Sequence, residues 1–291
     1  MIVCCPPHGG GAGAAGLDRT RAGAGRVTCS RYAFCGASRE GPGVSKRVLT
    51  AIADAIWPPV CPVRSVPVDA SGRLDASAWH GLDFLAAPWC DCCGLPFPYP
   101  SGTGTDTGIL CATCMARPPK FDRARAPLAY GDVSRQLVLG FKNGGRREMI
   151  DQFGRWMAQA GASCLDGADY ILPVPLHWRR LLARRYNQSA LLGQALSRQT
   201  GVPMRAGWLL RSRATPSQAG KSVLSRRRNM AGAFRIAPGH RLDGSHIVLV
   251  DDVFTTGATA SACARQLRRA GAEVVTVVTL CRVVRASDPT M

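Results

Sequence analysis

Hydrophobic and polar positions change rhythm twice along the chain. Over residues 45–57, SKRVLTAIADAIW, apolar side chains recur at helical spacing, and Pro58-Pro59 stops the run. From 58 to 120 no period lasts, and Pro, Gly and Cys dominate, as in a small metal-stapled module. Past Phe121 regular elements follow one another. RARAPLAYG (123–131) reads as a strand, LVLGFKNGG (137–145) as a short helix with a turn, and MIDQFGRWMAQAGA (149–162) as an amphipathic helix. YILPVP (170–175) is a strand and NQSALLGQALSRQTG (187–201) a helix, and a loop-rich basic stretch runs from Arg211 to Phe234. The chain closes with strand HIVLV (246–250), loop DDVFTTGAT (251–259), helix ASACARQLRRAG (260–271) and strand EVVTVVTLCRVV (273–284).

A final strand-loop-helix-strand unit implies an α/β fold: a Rossmann-like parallel sheet with its ligand at the carboxyl edge of the strands. The predicted division is therefore threefold. Residues 1–44, with GGGAGAAG among them, cannot bury enough apolar surface to offset their ordering entropy. They are expected to be disordered or a non-native extension, with Val44 as a candidate natural start. Residues 45–120 hold the first helix and the cysteine module, and 121–291 the α/β domain.

Composition adds one strong bias. Hydrophobic residues at 46% and charged ones at 19% are globular values, which exclude wholesale disorder. No apolar run reaches the eighteen residues needed for a membrane-spanning helix. The formal net charge is +18, and Ile171 to Leu242 carries fourteen Lys or Arg without one Asp or Glu. Such a block calls for an anionic partner: phosphates, a nucleic-acid backbone or an acidic surface. Arg outnumbers Lys 33 to 4, which a GC-rich genome would also produce, so that ratio decides nothing.

Thirteen cysteines would suit a disulfide scaffold, but the count is odd and the first residues lack a signal-peptide pattern. Cys90, Cys93, Cys111 and Cys114 read C-x2-C-x17-C-x2-C, two knuckles that together supply a tetrahedral site. Four thiolates leave no open position, so one structural Zn²⁺ is expected, and the reducing compartment this implies makes the protein cytoplasmic. Cys92 could stand in for Cys93 in the run CDCC, although its spacing is poorer. Upstream, Cys61-Pro62-Val63-Arg64 followed by Asp75-Ala76-Ser77-Ala78-Trp79 resembles a broken copy of the module. One remaining thiolate cannot hold zinc, so one metal is expected and not two.

The most specific signal is HIVLVDDVFTTGAT, residues 246–259. Two carboxylates follow an apolar strand, and a Thr- and Gly-rich turn opens a helix whose N–H groups make an anion site. Gly257 would let the backbone approach a phosphate. Adjacent acids on an extended chain point to opposite faces, so Asp251 and Asp252 should differ in direction. Together they could hold neighbouring ribose hydroxyls, directly or through a metal. No Walker loop and no dinucleotide GxGxxG occurs.

This segment is similar to the phosphoribosyl pyrophosphate (PRPP) signature of type I phosphoribosyltransferases. The wider chain, about 57–284, resembles the ComF competence-protein family. The resemblance is carried by the knuckles, AYG at 129–131, FK at 141–142, PVPLHWRRLLARRYNQ at 173–188, TPSQ at 215–218, RRRN at 226–229 and the acidic-pair loop. It departs where Arg64, Asp75 and Ala78 replace cysteines and where Arg185 replaces a glycine.

The resemblance implies a zinc ribbon joined to a phosphoribosyltransferase domain. Asp251 and Asp252 would contact the ribose hydroxyls, and Thr255, Thr256, Gly257, Ala258 and Thr259 would wrap the 5′-phosphate. Arg179, Arg180 and Arg184, with Mg²⁺, would stabilise departing pyrophosphate. Lys142 is divided between a phosphate contact and the surface, and His177 is a weak candidate acid. Gln218, Lys221 and Arg228 would lie on a mobile flap that excludes water. Trp178 and Tyr186 could stack on bases or line the pocket. Three functions remain: a Mg–PRPP-binding protein of DNA uptake or utilisation, a nucleobase-salvage transferase, and a single-stranded nucleic-acid-binding module. Competence machinery and a second copy of the chain are the macromolecular partners the resemblance suggests.

Overall fold

The computed structural model describes residues 58–97, 108–143, 146–176, 181, 186–212 and 232–285. The expected disordered segment 1–44, the helix at 45–57, the candidates His177, Trp178, Arg179, Arg180 and Arg184, and the flap residues Gln218, Lys221 and Arg228 lie outside them.

A parallel sheet organises the described residues. Its strands are β1 (Arg123–Arg125), β2 (Leu128–Ala129), β3 (Tyr170–Pro173), β6 (His246–Phe254) and β7 (Val274–Arg282). They lie in the order β1-β7-β6-β3, with β2 continuing the β1 edge along β7. The single strand expected over 123–131 is therefore two short ones. Pro127 falls at the break, where it offers no N–H to the ladder. A separate antiparallel pair joins β4 (Leu209–Arg211) to β5 (Phe234–Ile236).

Helices cover both faces of the sheet. Short α1 (Ala76–His80) and α2 (Ala112–Ala116) belong to the cysteine module. They are followed by α3 (Asp132–Asn143), α4 (Ile150–Ala160), α5 (Ala162–Leu165), α6 (Gln188–Thr200) and α7 (Ala258–Arg269). Strand β6 shows why the run HIVLV is continuously apolar. Ile247 and Leu249 pack with Cys263 and Leu267 of α7, while Val248 and Val250 pack with Phe141, Phe153, Met157 and Leu192 on the other face. Both sets are fully buried.

One boundary moves. Asp251 to Phe254 were expected in a loop, yet β6 runs on to Phe254 and pairs with β7 through Asp251↔Thr279, Val253↔Cys281 and Phe254↔Arg282. The β-branched and aromatic residues Val253 and Phe254 extend the ladder past the two acids. The aspartates consequently sit on rigid strand instead of a flexible turn.

Candidate functional site

The cysteine module is built twice. At the second knuckle Cys90 N–H donates to Leu95 O (2.7 Å) and Gly94 N–H to Cys90 O (2.8 Å), with Gly94 left-handed at φ 68°. At the first, Cys61 N–H donates to Val66 O (2.7 Å) and Ser65 N–H to Cys61 O (2.8 Å), with Ser65 at φ 57°. Bridges Trp89↔Pro96 and Val60↔Pro67 close the two turns alike. Each knuckle is answered by a short helix, N-capped by Cys111 in one copy and by Asp75 in the other. Cys61, Arg64, Asp75 and Ala78 thus occupy the positions of Cys90, Cys93, Cys111 and Cys114.

The second copy fits a metal. The sulfurs of Cys90, Cys93, Cys111 and Cys114 lie within 4.8 Å of one another, all four residues are buried, and Cys93 Sγ stands 3.7 Å from Cys111 Sγ. Zn–S bonds of about 2.3 Å in a tetrahedron place sulfurs about 3.8 Å apart. The set is structural, with Cys93 and not Cys92 completing it. Hydrogen bonds from Cys114 and Cys93 hold the Cys90 thiol far below its ordinary range, and Cys114 is pushed up in exchange. Among the described residues this is the one cluster of metal-ligating type.

In the first copy an ion pair stands where the metal would. Arg64 Nη1 meets Asp75 Oδ2 at 3.1 Å, and the same carboxylate caps α1 through Ser77 N–H at 3.2 Å. The Cys61 thiol first, then Arg64, holds the Asp75 carboxyl below its usual range. Because the backbone of both copies matches, the triple change Arg64→Cys, Asp75→Cys and Ala78→Cys should create a second tetrad. Metal analysis is expected to rise from one zinc per chain to two, while a count that stays at one would show that the first turn cannot close round a metal.

The metal-binding copy is fastened to the sheet. Ala124 N–H donates to Cys92 O at 2.7 Å, and a Cβ on Gly94 would meet the Ala124 carbonyl at 2.6 Å, so only glycine fits there. Arg125 and Arg123 reach Asp91 at 3.2 and 3.4 Å. Buried Arg282, at the end of β7, donates to Cys93 O (2.7 Å) and Cys93 Sγ (3.4 Å), and its guanidinium lies 4.9 Å from the centre of the Phe254 ring. Arg282 links the metal ligand to the strand that carries the acidic pair. Nothing in the run TLCRVV had marked it, because its partner is distant in sequence.

At the carboxyl end of β6 the acidic pair splits as alternation demands. Asp252 Oδ2 meets Lys142 Nζ at 2.7 Å, with the two side chains 15% and 20% exposed. Lys142, expected either at a phosphate or on the surface, is delivered by α3 to the second acid. Asp251 Oδ1 accepts from Ser189 Oγ and from Asp252 N–H, both at 2.9 Å. Burial first, then the neighbouring Asp252 charge, pushes the Asp251 carboxyl up to about 7.

Behind the acids, Thr255 and Thr256 lead to Gly257, which N-caps α7 at φ 67°. A Cβ there would lie 2.8 Å from the Phe254 ring, so the glycine is required by backbone shape and by the ring beneath it. Ala258 is buried, Thr259 is half-buried, and the Thr256 hydroxyl oxygen is buried without a hydrogen-bond partner among the described residues. Of the predicted site, Asp251, Asp252, Lys142 and Thr255 to Thr259 come together here. Tyr186 turns out to pin a helix, its hydroxyl donating to Phe141 O and its ring lying 4.5 Å from the Arg147 guanidinium.

Residues 187–289 match the family model described as a phosphoribosyl transferase domain, and 52–115 that of a double zinc ribbon domain. The DNA utilization protein YhgH of Salmonella typhimurium is 35% identical over 198 residues, covering 66% of this chain and 83% of that protein. Competence protein F of Haemophilus influenzae is 30% identical over 201 residues, 67% of this chain and 85% of that protein. Among solved structures, adenine phosphoribosyltransferase of Saccharomyces cerevisiae is similar at 20% identity and a TM-score of 0.31, over 49% of this chain and 72% of that one. The sheet, its covering helices and the matched domain make this a type I phosphoribosyltransferase fold with an N-terminal zinc ribbon.

Proposed function

The chain belongs to the family of the DNA utilization protein YhgH and competence protein F, and from that premise we propose that it binds Mg–PRPP at the carboxyl edge of its sheet in the service of DNA uptake or utilisation. One observation carries the reading: an acidic strand end, a lysine and a glycine-pivoted turn opening a helix share one rim. Acceptors for ribose hydroxyls and N–H donors for a terminal phosphate are thereby side by side. The end of β6 offers the hydroxyl acceptors, and residues 255–259 the phosphate seat. Mg²⁺ would supply charge neutralisation of the pyrophosphate. Arg179, Arg180 and Arg184, in the segment after β3, would meet the same group, and Gln218, Lys221 and Arg228 would close over it.

Calorimetric titration with PRPP and Mg²⁺ tests this. Micromolar binding is expected, and Asp252→Ala should weaken it by about 30-fold or more, the scale of a lost charge-assisted hydrogen-bond pair. No binding at millimolar PRPP would overturn the reading. Pyrophosphate release with one particular free base would identify a salvage transferase instead.

A second reading, contact with single-stranded nucleic acid, is favoured by a ladder of rings in and beside the acid-free block. Tyr170 and Trp208 lie 4.8 Å apart, His240 stacks on Trp208 at 4.9 Å, and the Arg205 guanidinium lies 5.5 and 5.8 Å from the first two rings. Stacking of this kind tolerates any base. Oligonucleotide binding that falls steeply with salt and survives Asp252→Ala would support it. Binding indifferent to Trp208→Ala would count against it.

A further inference from the structure

A phenyl ring and a guanidinium fasten the phosphate turn to the metal-binding ribbon. Phe254 and Arg282 face each other across the β6–β7 ladder, where Val283 N–H donates to Phe254 O at 2.9 Å. Phe254 ends β6, and its ring fills the space beneath Gly257, 2.8 Å from where a Cβ would stand. Phe121, which leads from the ribbon into β1, meets that ring edge-on at 5.8 Å. The Arg282 guanidinium lies 4.9 Å from the ring centre, within cation–π range.

Arg282 is only 6% exposed, and a buried cation is costly unless charge and hydrogen bonds compensate it. No carboxylate pairs with it among the described residues. Its Nη1 donates to Cys93 O at 2.7 Å and its Nη2 to Cys93 Sγ at 3.4 Å, while Nε has no partner among the described residues. Four thiolates around one Zn²⁺ leave negative charge in excess, so the filled tetrad is the counter-charge this cation meets. Between the ribbon and the turn themselves a cavity of about 210 Å³ stands open, with Thr113 and Arg117 on one side and Thr255, Thr256 and Ser261 on the other. Cys93, Arg282 and Phe254 line the same cavity and carry the contact past it.

Resting on the function proposed above, we infer that Arg282 is a positioning residue through which the zinc ribbon sets the shape of the phosphate seat. The ribbon is then a working part of the ligand site as well as a staple. Anchored on Cys93, the guanidinium holds the Phe254 ring beneath Gly257, and the ring holds the N–H groups of the turn in one arrangement. Donors fixed in advance bind an anion better than donors that must first be ordered. Without the guanidinium the ring is free to tilt, and the turn above it loses its support.

The test compares zinc-loaded wild-type protein with Arg282→Met, which keeps an apolar stem beside Phe254 and donates to nothing, and with Arg282→Lys, which keeps the charge. Circular dichroism and metal analysis verify that each variant is folded and holds its zinc. Amide resonances of Gly257, Ala258 and Thr259 in ligand-free protein report the turn directly. In Arg282→Met they should move, and affinity for PRPP in Mg²⁺ should fall by about tenfold, the lower end of what loss of a supporting partner costs a site. Arg282→Lys should recover part of both. Arg268→Met, which breaks the ion pair to Asp122 at the other end of α7, should change neither. Phe254→Leu removes the ring and leaves Arg282 on Cys93, so it tests the same column should Arg282→Met not fold. Its loss of affinity should not add to that of Arg282→Lys in the double variant. Fully additive losses, or unmoved turn resonances with wild-type affinity in Arg282→Met, would overturn the inference and leave the function standing. If wild-type protein binds no PRPP, the function falls, and the turn resonances of Arg282→Met still decide whether the ribbon shapes the turn.

Discussion

Stripping the metal with a strong chelator should unfold the ribbon and take much of the domain's stability with it. A structural zinc site contributes about 10–16 kcal/mol of apparent binding energy, comparable to the whole stability of a domain, roughly 5–15 kcal/mol. The damage should not stay local. Cys90, Cys93, Cys111 and Cys114 pack in the same core as Leu249, Val277 and Cys263, and Arg282 leans on Cys93 from the end of β7. Thermal unfolding followed with and without chelator is expected to lose its cooperative transition or to shift down by well over 10 °C, on the scale of about 4 °C or less per kcal/mol. Cys93→Ala should do the same. An unchanged transition in metal-free protein would show that the tetrad carries no metal of consequence.

The second large effect is expected at the turn behind the acids. Gly257→Val places a β-branched side chain at φ 67°, which costs about 1–2 kcal/mol in backbone strain, and drives its Cβ to within 2.8 Å of the Phe254 ring. That ring is held edge-on to Phe121 at 5.8 Å and lies beneath Arg282, so the turn must yield instead. Overpacking adds roughly 1–3 kcal/mol. Affinity for PRPP should fall by about 100-fold, the sum of these terms. Wild-type affinity in the variant would mean that the turn does not seat the phosphate.

Much of this was legible in the order of residues, for reasons of short range. The run HIVLV announced a strand buried on both faces, and C-x2-C twice announced a tetrad, because both signals are local. The helix expected over 187–201 is observed as α6, with Asn187 as its N-cap and Gly201 as its C-cap. The end of β6 was misjudged because adjacent aspartates resemble a turn when the ladder to β7 is unseen. Gly257 was read from its type as a place of phosphate approach, while the Phe254 ring, 2.8 Å from where its Cβ would stand, is a further reason for glycine that the sequence does not state.

Long-range partners were the part that one-dimensional pattern could not supply. Lys142 and Asp252 are 110 positions apart, and Ser189 and Asp251 are 62 apart. Arg282 and Cys93 are 189 apart. Arg64 and Asp75 were recognised only as missing cysteines, and their ion pair, which closes the first ribbon turn, depends on geometry that spacing does not state.

Crystals of the full chain grown with PRPP and Mg²⁺ offer the most direct measurement. The 5′-phosphate should appear in the turn of Thr255 to Thr259, within hydrogen-bond reach of its N–H groups, with the ribose hydroxyls on Asp251 and Asp252. Clear density for PRPP elsewhere, or an open and accessible turn holding only water at saturating PRPP, would contradict the account.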